Sequence, residues 1–230
     1  MRINSLSLEN YRNIIRCDLT PGEGVNLIVG DNAQGKTNLM EAIWLLTGEK
    51  TFRYGREHDI PRLDMDRETQ RTRVYANVFA EGRDQELEYI LWPRRQVKIN
   101  GITEPGRGAF SGKLCCVIFS PNHLSLVRDG PAERRDFLDG AICQLRPQYI
   151  KVLSDYNRAL AQRSTLLREA FRDRGRLDLL PVFDYHVARL GSLIQVTRQS
   201  YLTRLAEYAA GFHQGISAGK EELSVRYTIG

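Results

Sequence analysis

The chain has 230 residues, of which 42% are hydrophobic and 27% charged, the balance of an ordinary globular protein with room for one large domain or two small ones. No apolar run is long enough to span a membrane, and Met1-Arg2-Ile3-Asn4-Ser5-Leu6 enters strand-like alternation without a leader pattern, so a cytoplasmic location is expected. The net charge of +5 and a pI near 9.1 come mostly from arginine, which suits phosphate or nucleic acid without requiring either. Cys17, Cys115, Cys116 and Cys143 show no C-x-x-C spacing and sit in apolar contexts, so reduced, buried thiols are expected. The four histidines are scattered and none pairs at metal-ligand spacing.

In chain order, Ile3, Leu6 and Leu8 open a first strand, Asn10-Tyr11-Arg12-Asn13-Ile14 turns, and Ile15 to Leu19 reads as a second. Arg12 is either a nucleotide-phosphate contact or a solvated turn residue. Pro21-Gly22-Glu23-Gly24 leads into Val25-Asn26-Leu27-Ile28-Val29, which reads as a buried strand. Gly30-Asp31-Asn32-Ala33-Gln34-Gly35-Lys36-Thr37 then completes G-x-x-x-x-G-K-[ST], and Asn38 to Leu46 reads as a helix. Strand, glycine loop and helix in that order give the motif a mechanism. The glycines let backbone N–H groups turn inward as a phosphate nest, and the helix adds the positive end of its dipole. Lys36 is placed to reach the β- and γ-phosphates of ATP, and the Thr37 hydroxyl to ligate Mg²⁺. A chance glycine turn before a helix fits worse, because every fixed position and both flanks agree. Two short strands ahead of a phosphate-binding strand suggest an ABC-type head rather than a small GTPase.

Arg53 to Arg73 is a mixed-charge surface connection. Arg73 to Phe79, Glu86 to Leu91 and Gln96 to Asn100 read as strands of an antiparallel meander, with turns at Gly82-Arg83-Asp84 and Pro93-Arg94-Arg95. Ser111-Gly112-Lys113 reads as a loop, and Leu114 to Phe119 as a strand buried on both faces. Pro131 with Glu133 marks a helix start; Arg134, Arg135 and Asp139 serve either an interface or DNA contact, or internal ion pairs. From Pro147 the period becomes helical through Tyr149, Val152-Leu153, Tyr156, Leu160, Leu167 and Phe171. After the polar break Arg172 to Arg176, a long helix carries Phe183, His186-Val187, Leu190, Ile194, Thr197, Tyr201, Leu205, Tyr208 and Phe212 near a coiled-coil seam. His186 is expected as a satisfied core residue, the two helices as an antiparallel pair, and Leu223 to Ile229 as a returning strand.

Several of these stretches resemble the RecF family, bacterial recombination mediators related to SMC-type ATPase heads. They are Leu8 to Ile14, Gly30 to Ile43, Leu45-Leu46-Thr47-Gly48 with Thr51-Phe52-Arg53, and above all Phe119 to Val127 with Gly130 to Asp139. Ser164 stands where that family usually has Asn after Gln162-Arg163. The resemblance implies an α/β P-loop NTPase, an ABC-type, SMC-like head with mixed and antiparallel sheets and an inserted helical arm. It divides as head 1–120, helical arm 121–222 and a strand returning to the head at 223–230. It implies Gly30, Asp31, Asn32, Ala33, Gln34, Gly35, Lys36, Thr37 and Arg12 around ATP, and Mg²⁺ on Thr37. It implies ATP-dependent binding to single-stranded and gapped double-stranded DNA in repair, replication restart and SOS induction, with RecR- and RecO-like partners and an ATP-dependent homodimer. The intact family is a weak ATPase. These 230 residues hold no Walker B acid; Leu179-Leu180-Pro181-Val182-Phe183-Asp184 is the nearest match, and Pro181 forbids a central strand there. The signature loop is absent too. Two other readings stay open: another SMC-like head, or a truncated form without ATPase activity.

Overall fold

A computed structural model describes residues 1–53, 57–120, 123, 125–128, 130–171 and 173–228. Parts of the charged connection (54–56), of the family-specific block (Pro121, Asn122, Leu124), of the polar break (Arg172) and of the returning strand (Ile229, with Gly230) lie outside the described residues. The chain forms two compact units, Met1–Leu124 and Ser125–Gly230.

The first unit is built on a six-stranded antiparallel sheet of order β2-β1-β3-β4-β5-β6. The strands are β1 (Arg2–Tyr11), β2 (Ile14–Leu19), β3 (Thr72–Ala80), β4 (Arg83–Trp92), β5 (Gln96–Ile99) and β6 (Ile102–Glu104). Two-residue turns join β3 to β4 through Glu81-Gly82 and β5 to β6 through Asn100-Gly101, all four residues at positive φ. That is the hairpin geometry whose twist matches the strands it joins. Strict alternation places Leu6, Leu8, Val74, Ala76, Val78, Leu87, Tyr89 and Val97 on one buried face, in register across the sheet. The one α-helix among this unit's described residues, α1 (Lys36–Leu45), completes that core with Leu39, Ala42 and Leu45. The opposite face is polar and self-paired: Glu9 takes Arg71 at 2.8 Å and Arg73 at 3.6 Å, and Glu88 takes Arg73 and, at 3.2 Å, Lys98.

Two expected strands differ. Residues 25–29 join no sheet, with Val25 97% and Leu27 83% exposed. Residues 114–119 likewise form no strand. Leu114 and Cys116 face the core, while Val117 and Phe119 stand in solvent, so one face is covered, not two. The apolar patterns are those of strands. What is missing among the described residues is a strand to pair with, and an apolar run without one has no ladder to join. Cys115 is also exposed, against the expectation of uniformly buried thiols; Cys143 is buried and Cys17 and Cys116 half-buried, with no disulfide.

The second unit is helical: a short α2 (Ser125–Arg128), then α3 (Pro131–Leu145), α4 (Pro147–Glu169) and α5 (Leu180–Ile216). α3, α4 and α5 each have proline in the first turn, where its missing N–H costs nothing. Pro181 therefore opens a helix, and no strand forms at Leu179 to Asp184. Contacts run in opposite chain directions, Arg163 with Asp184 (2.5 Å), Tyr156 against Gly191 and Tyr149 beside Arg198, so α4 and α5 are antiparallel. The covered positions Tyr149, Val152, Tyr156, Ala159, Arg163 and Leu166 alternate steps of three and four, as a coiled-coil seam requires. His186 departs from its expected place: it is exposed, edge-on to Tyr185. Tyr208 and Phe212 are exposed as well. Residues 223–228 form no strand.

Asp139 joins the three long helices. Its carboxylate accepts from Arg198 Nε (2.8 Å) and Nη2 (2.6 Å) on α5 and from the Tyr149 hydroxyl (2.6 Å) on α4. Asp139 is thus an internal ion-pair partner. Burial first, and the neighbouring carboxylate second, push the Tyr149 phenol up from its ordinary value.

Candidate nucleotide-binding site

The glycine loop keeps its geometry through local contacts. Gly35 caps α1 at φ 99°, and a Cβ there would lie 2.9 Å from Asn13 Oδ1 and 3.2 Å from Ile14 Cγ1. Glycine is thus required twice, by backbone conformation and by space. Ala33 is left-handed at φ 66°, and its carbonyl accepts the Asn13 side-chain amide at 2.6 Å. Asn38 on α1 in turn donates to Asn13 Oδ1 at 2.7 Å. The β1–β2 turn, the loop and the first turn of the helix are thereby fastened together.

No side chain caps the N-terminus of α1 and no acidic residue lies in its first turn, so its leading N–H groups and dipole have no anion beside them. Lys36 is the first helical residue. Its Nζ folds back over the loop, donating to the carbonyls of Gly30 (2.5 Å) and Asp31 (2.6 Å). Gly30, Asp31, Asn32, Ala33, Gln34 and Thr37 are exposed. An anion entering the mouth of the loop meets the lysine ammonium, the helix terminus and the Thr37 hydroxyl together.

Arg12 sits on the β1–β2 turn with its guanidinium directed at Glu41. Nε donates to one carboxylate oxygen at 3.0 Å and Nη2 to the other at 2.7 Å, while Nη1 donates to the Asp59 carbonyl at 3.1 Å. Glu41 is fully buried on α1 and also accepts the Thr51 hydroxyl. Burial raises its carboxyl, but the bonds from Arg12 and Thr51 outweigh that and hold it below the ordinary carboxylate range. One helical turn earlier, Asn38 accepts Arg53. Glu41 and the Asn13–Asn38–Arg53 relay had no sequence reading of their own. The signal for Glu41 was a lone acid at an inward position of an otherwise apolar helix face, with an arginine on the preceding turn. Among the described residues, no group of three or more His, Cys, Asp or Glu gathers as a metal site.

A family model described as an AAA ATPase domain matches residues 1–100. The DNA replication and repair protein RecF of Acetivibrio thermocellus is 35% identical over 229 residues, covering 99% of this chain and 61% of that protein. The RecF of Gloeobacter violaceus is 38% identical, covering 99% of this chain and 60% of its own length. A solved structure of the recombination mediator protein RecF with ATP, in the RecFOR pathway, superposes with a TM-score of 0.86 at 32% identity, over 94% of this chain and 58% of that one. The resemblance is to RecF. The fold is accordingly an α/β P-loop ATPase head with a helical arm, of the kind RecF has. The chain spans about three fifths of the length of the curated RecF relatives it matches. Among the described residues, no helix is long and apolar enough to cross a membrane.

Proposed function

We propose that this chain is the nucleotide-binding part of a RecF-type protein, acting with ATP on DNA during replication and repair. The observation that carries the reading is the uncapped α1 terminus with Lys36 folded over the glycine loop, in a chain similar to RecF along nearly its whole length. The loop N–H groups and Lys36 would hold the β- and γ-phosphates, and Thr37 would ligate Mg²⁺. Bound nucleotide supplies charge that can bridge two heads. Arg12, already paired with Glu41, would position α1 and the β1–β2 turn around the loop. Residues 1–120 form the head, 121–222 the arm and 223–230 a segment returning to the head. The whole protein would bind single-stranded and gapped DNA through arginine-rich surfaces with little sequence readout. RecR- and RecO-like proteins and a second copy would be its partners, in the cytoplasm.

A second reading concerns turnover. These 230 residues contain no Walker B acid to share Mg²⁺ with Thr37 or to activate water. The chain as given would bind nucleotide with negligible hydrolysis and no ATP-dependent dimerisation.

The test is ATP titration by calorimetry of the chain and of Lys36→Ala. Loss of binding in Lys36→Ala is expected, and equal affinities would sink the phosphate-loop assignment. Mg²⁺-dependent turnover that disappears in Lys36→Ala would instead overturn the second reading.

A further inference from the structure

A second basic concavity lies at the edge of the sheet opposite β2. It encloses about 530 Å³ between the β4–β5 turn, β6 and the short 3₁₀ helices Glu57–Asp59 and Arg107–Phe110, within the range of ligand-binding clefts. Arg94, Arg95 and Arg107 line it, with Glu57 and Glu104. The charges are not equally available. Glu57, with a side chain only 12% exposed, binds Arg107 and, at 3.2 Å, Arg95, and accepts the Tyr89 hydroxyl at 3.2 Å. Its negative charge is directed inward. Arg107 also donates to the Glu49 carbonyl at 3.1 Å. Arg95 makes one ion pair and is 58% exposed, and Arg94 on the same turn makes no hydrogen bond or ion pair with the described residues. Two adjacent guanidinium groups therefore face the cleft with most of their N–H donors unspent.

The aromatic content says what the cleft does not read. Tyr89 is 2% exposed, edge-on to Phe110 and beneath the Arg107 guanidinium. Among the described residues lining the cleft, no aromatic face is open for a base to stack on. Arginine forks without a stacking platform recognise phosphate and not base. A lone phosphate entering here meets three guanidinium groups and two carboxylates and gains little. A phosphate tethered in a polyanion adds this local attraction to whatever the rest of the strand gains.

We propose that the cleft at Arg94 and Arg95 is a subsite for a backbone phosphate of DNA, separate from the phosphate loop. It rests on the reading of this chain as part of a DNA-binding protein.

The test measures affinity for a random-sequence gapped duplex against salt concentration. It compares the chain, Arg94→Ala, Arg94→Ala/Arg95→Ala, and the charge-matched control Arg16→Ala/Arg83→Ala. Each lost phosphate contact lowers the slope of log affinity against log salt by about 0.9. The expected result is a slope lower by about 1 for the double variant, with a smaller fall for Arg94→Ala. At low salt the double variant should bind about 10-fold weaker or worse, with ATP affinity unchanged and little change in the control. Arg94→Ala guards against misfolding, since that side chain bonds none of the described residues. An unchanged slope in both cleft variants, or an equal loss in the control, overturns the subsite while leaving DNA binding intact. Absence of DNA binding by the unsubstituted chain overturns the subsite and the DNA reading together. Pyrophosphate that binds as tightly as DNA, in a manner dependent on Arg94 and Arg95, overturns the backbone assignment.

Discussion

The Arg12–Glu41 pair makes a measurable claim about how the loop is held. Glu41 has no solvent exposure and the Arg12 side chain is 15% exposed, so Glu41→Ala leaves a guanidinium largely buried without its counter-charge. Breaking a buried pair from one side costs about 3–5 kcal/mol, and the residual exposure of Arg12 argues for the lower end, about 3 kcal/mol. For a unit of this size that corresponds to a fall in Tm of about 10 °C. The assay is tryptophan fluorescence during urea or thermal unfolding. The two tryptophans, Trp44 and Trp92, both lie in the first unit, so the signal isolates it from the helical arm. The sign with pH follows from the depressed carboxyl. Its folded value lies below the ordinary 4.5, so the contribution is complete above about 4.5 and disappears as pH falls through the lower folded value. A double-mutant cycle with Arg12→Ala should give a coupling of about 2 kcal/mol at pH 7 that shrinks in acid. A coupling under about 0.5 kcal/mol, or one that does not change between pH 7 and strong acid, would refute the argument.

Gly35→Ala should abolish ATP binding with only a modest effect on the fluorescence-detected unfolding of the sheet, since the added Cβ crowds the loop, Asn13 and Ile14 at the start of the edge strand β2; retained affinity by calorimetry would contradict the loop geometry. Tyr149→Phe removes one donor from buried Asp139 and should destabilise the helical unit by about 1–2 kcal/mol, read by circular dichroism at 222 nm (a helix-weighted signal); no change would mean that Asp139 is satisfied by Arg198 alone. Leu27→Lys, at a site 83% exposed, should leave unfolding within about 0.5 kcal/mol yet reduce aggregation seen by light scattering. A large loss of stability there would show that residues 25–29 are packed in solution.

What the sequence disclosed depended on how far each element's partners lie along the chain. The β3-to-β5 part of the meander was legible because each strand pairs with the next through a two- or three-residue turn, and alternation states which face is buried; the three-residue β6 was not read. The two long arm helices were legible from local period, but only half of the expected α4 face was: Tyr149, Val152, Leu153 and Tyr156 are covered, whereas Leu160, Leu167 and Phe171 are exposed and Ala159 and Leu166 are buried instead. The roles of Arg12 and Asp139 were not decidable from spacing. Arg12 is 29 residues from Glu41 and Asp139 is 59 from Arg198, and nothing in a polar turn or a helix face states which distant charge will meet it.

Residues 25–29 and 30–37 make the same point from opposite sides. The apolar run Val25-Asn26-Leu27-Ile28-Val29 carries a strand's composition, but composition specifies only readiness to pair. Burial also needs a neighbour for each N–H and C=O, and none of the described strands supplies one. The glycine loop that follows needs no such neighbour. Its shape rests on Asn13, Asn38 and the first α1 hydrogen bond, Leu39 N–H to Gly35 O at 2.9 Å, all within 26 residues of one another. The phosphate loop thus holds its form although the segment leading into it is unpaired. It follows that a strand added beside residues 25–29 should bury Val25, Leu27 and Val29 and stiffen the approach to the loop, while leaving the Asn13–Ala33 bond as it is. Nucleotide affinity should therefore depend more on Asn13 than on anything done to residues 25–29. Asn13→Ala weakening ATP less than Leu27→Lys, under the same calorimetry, would show that the loop is held from the strand side after all.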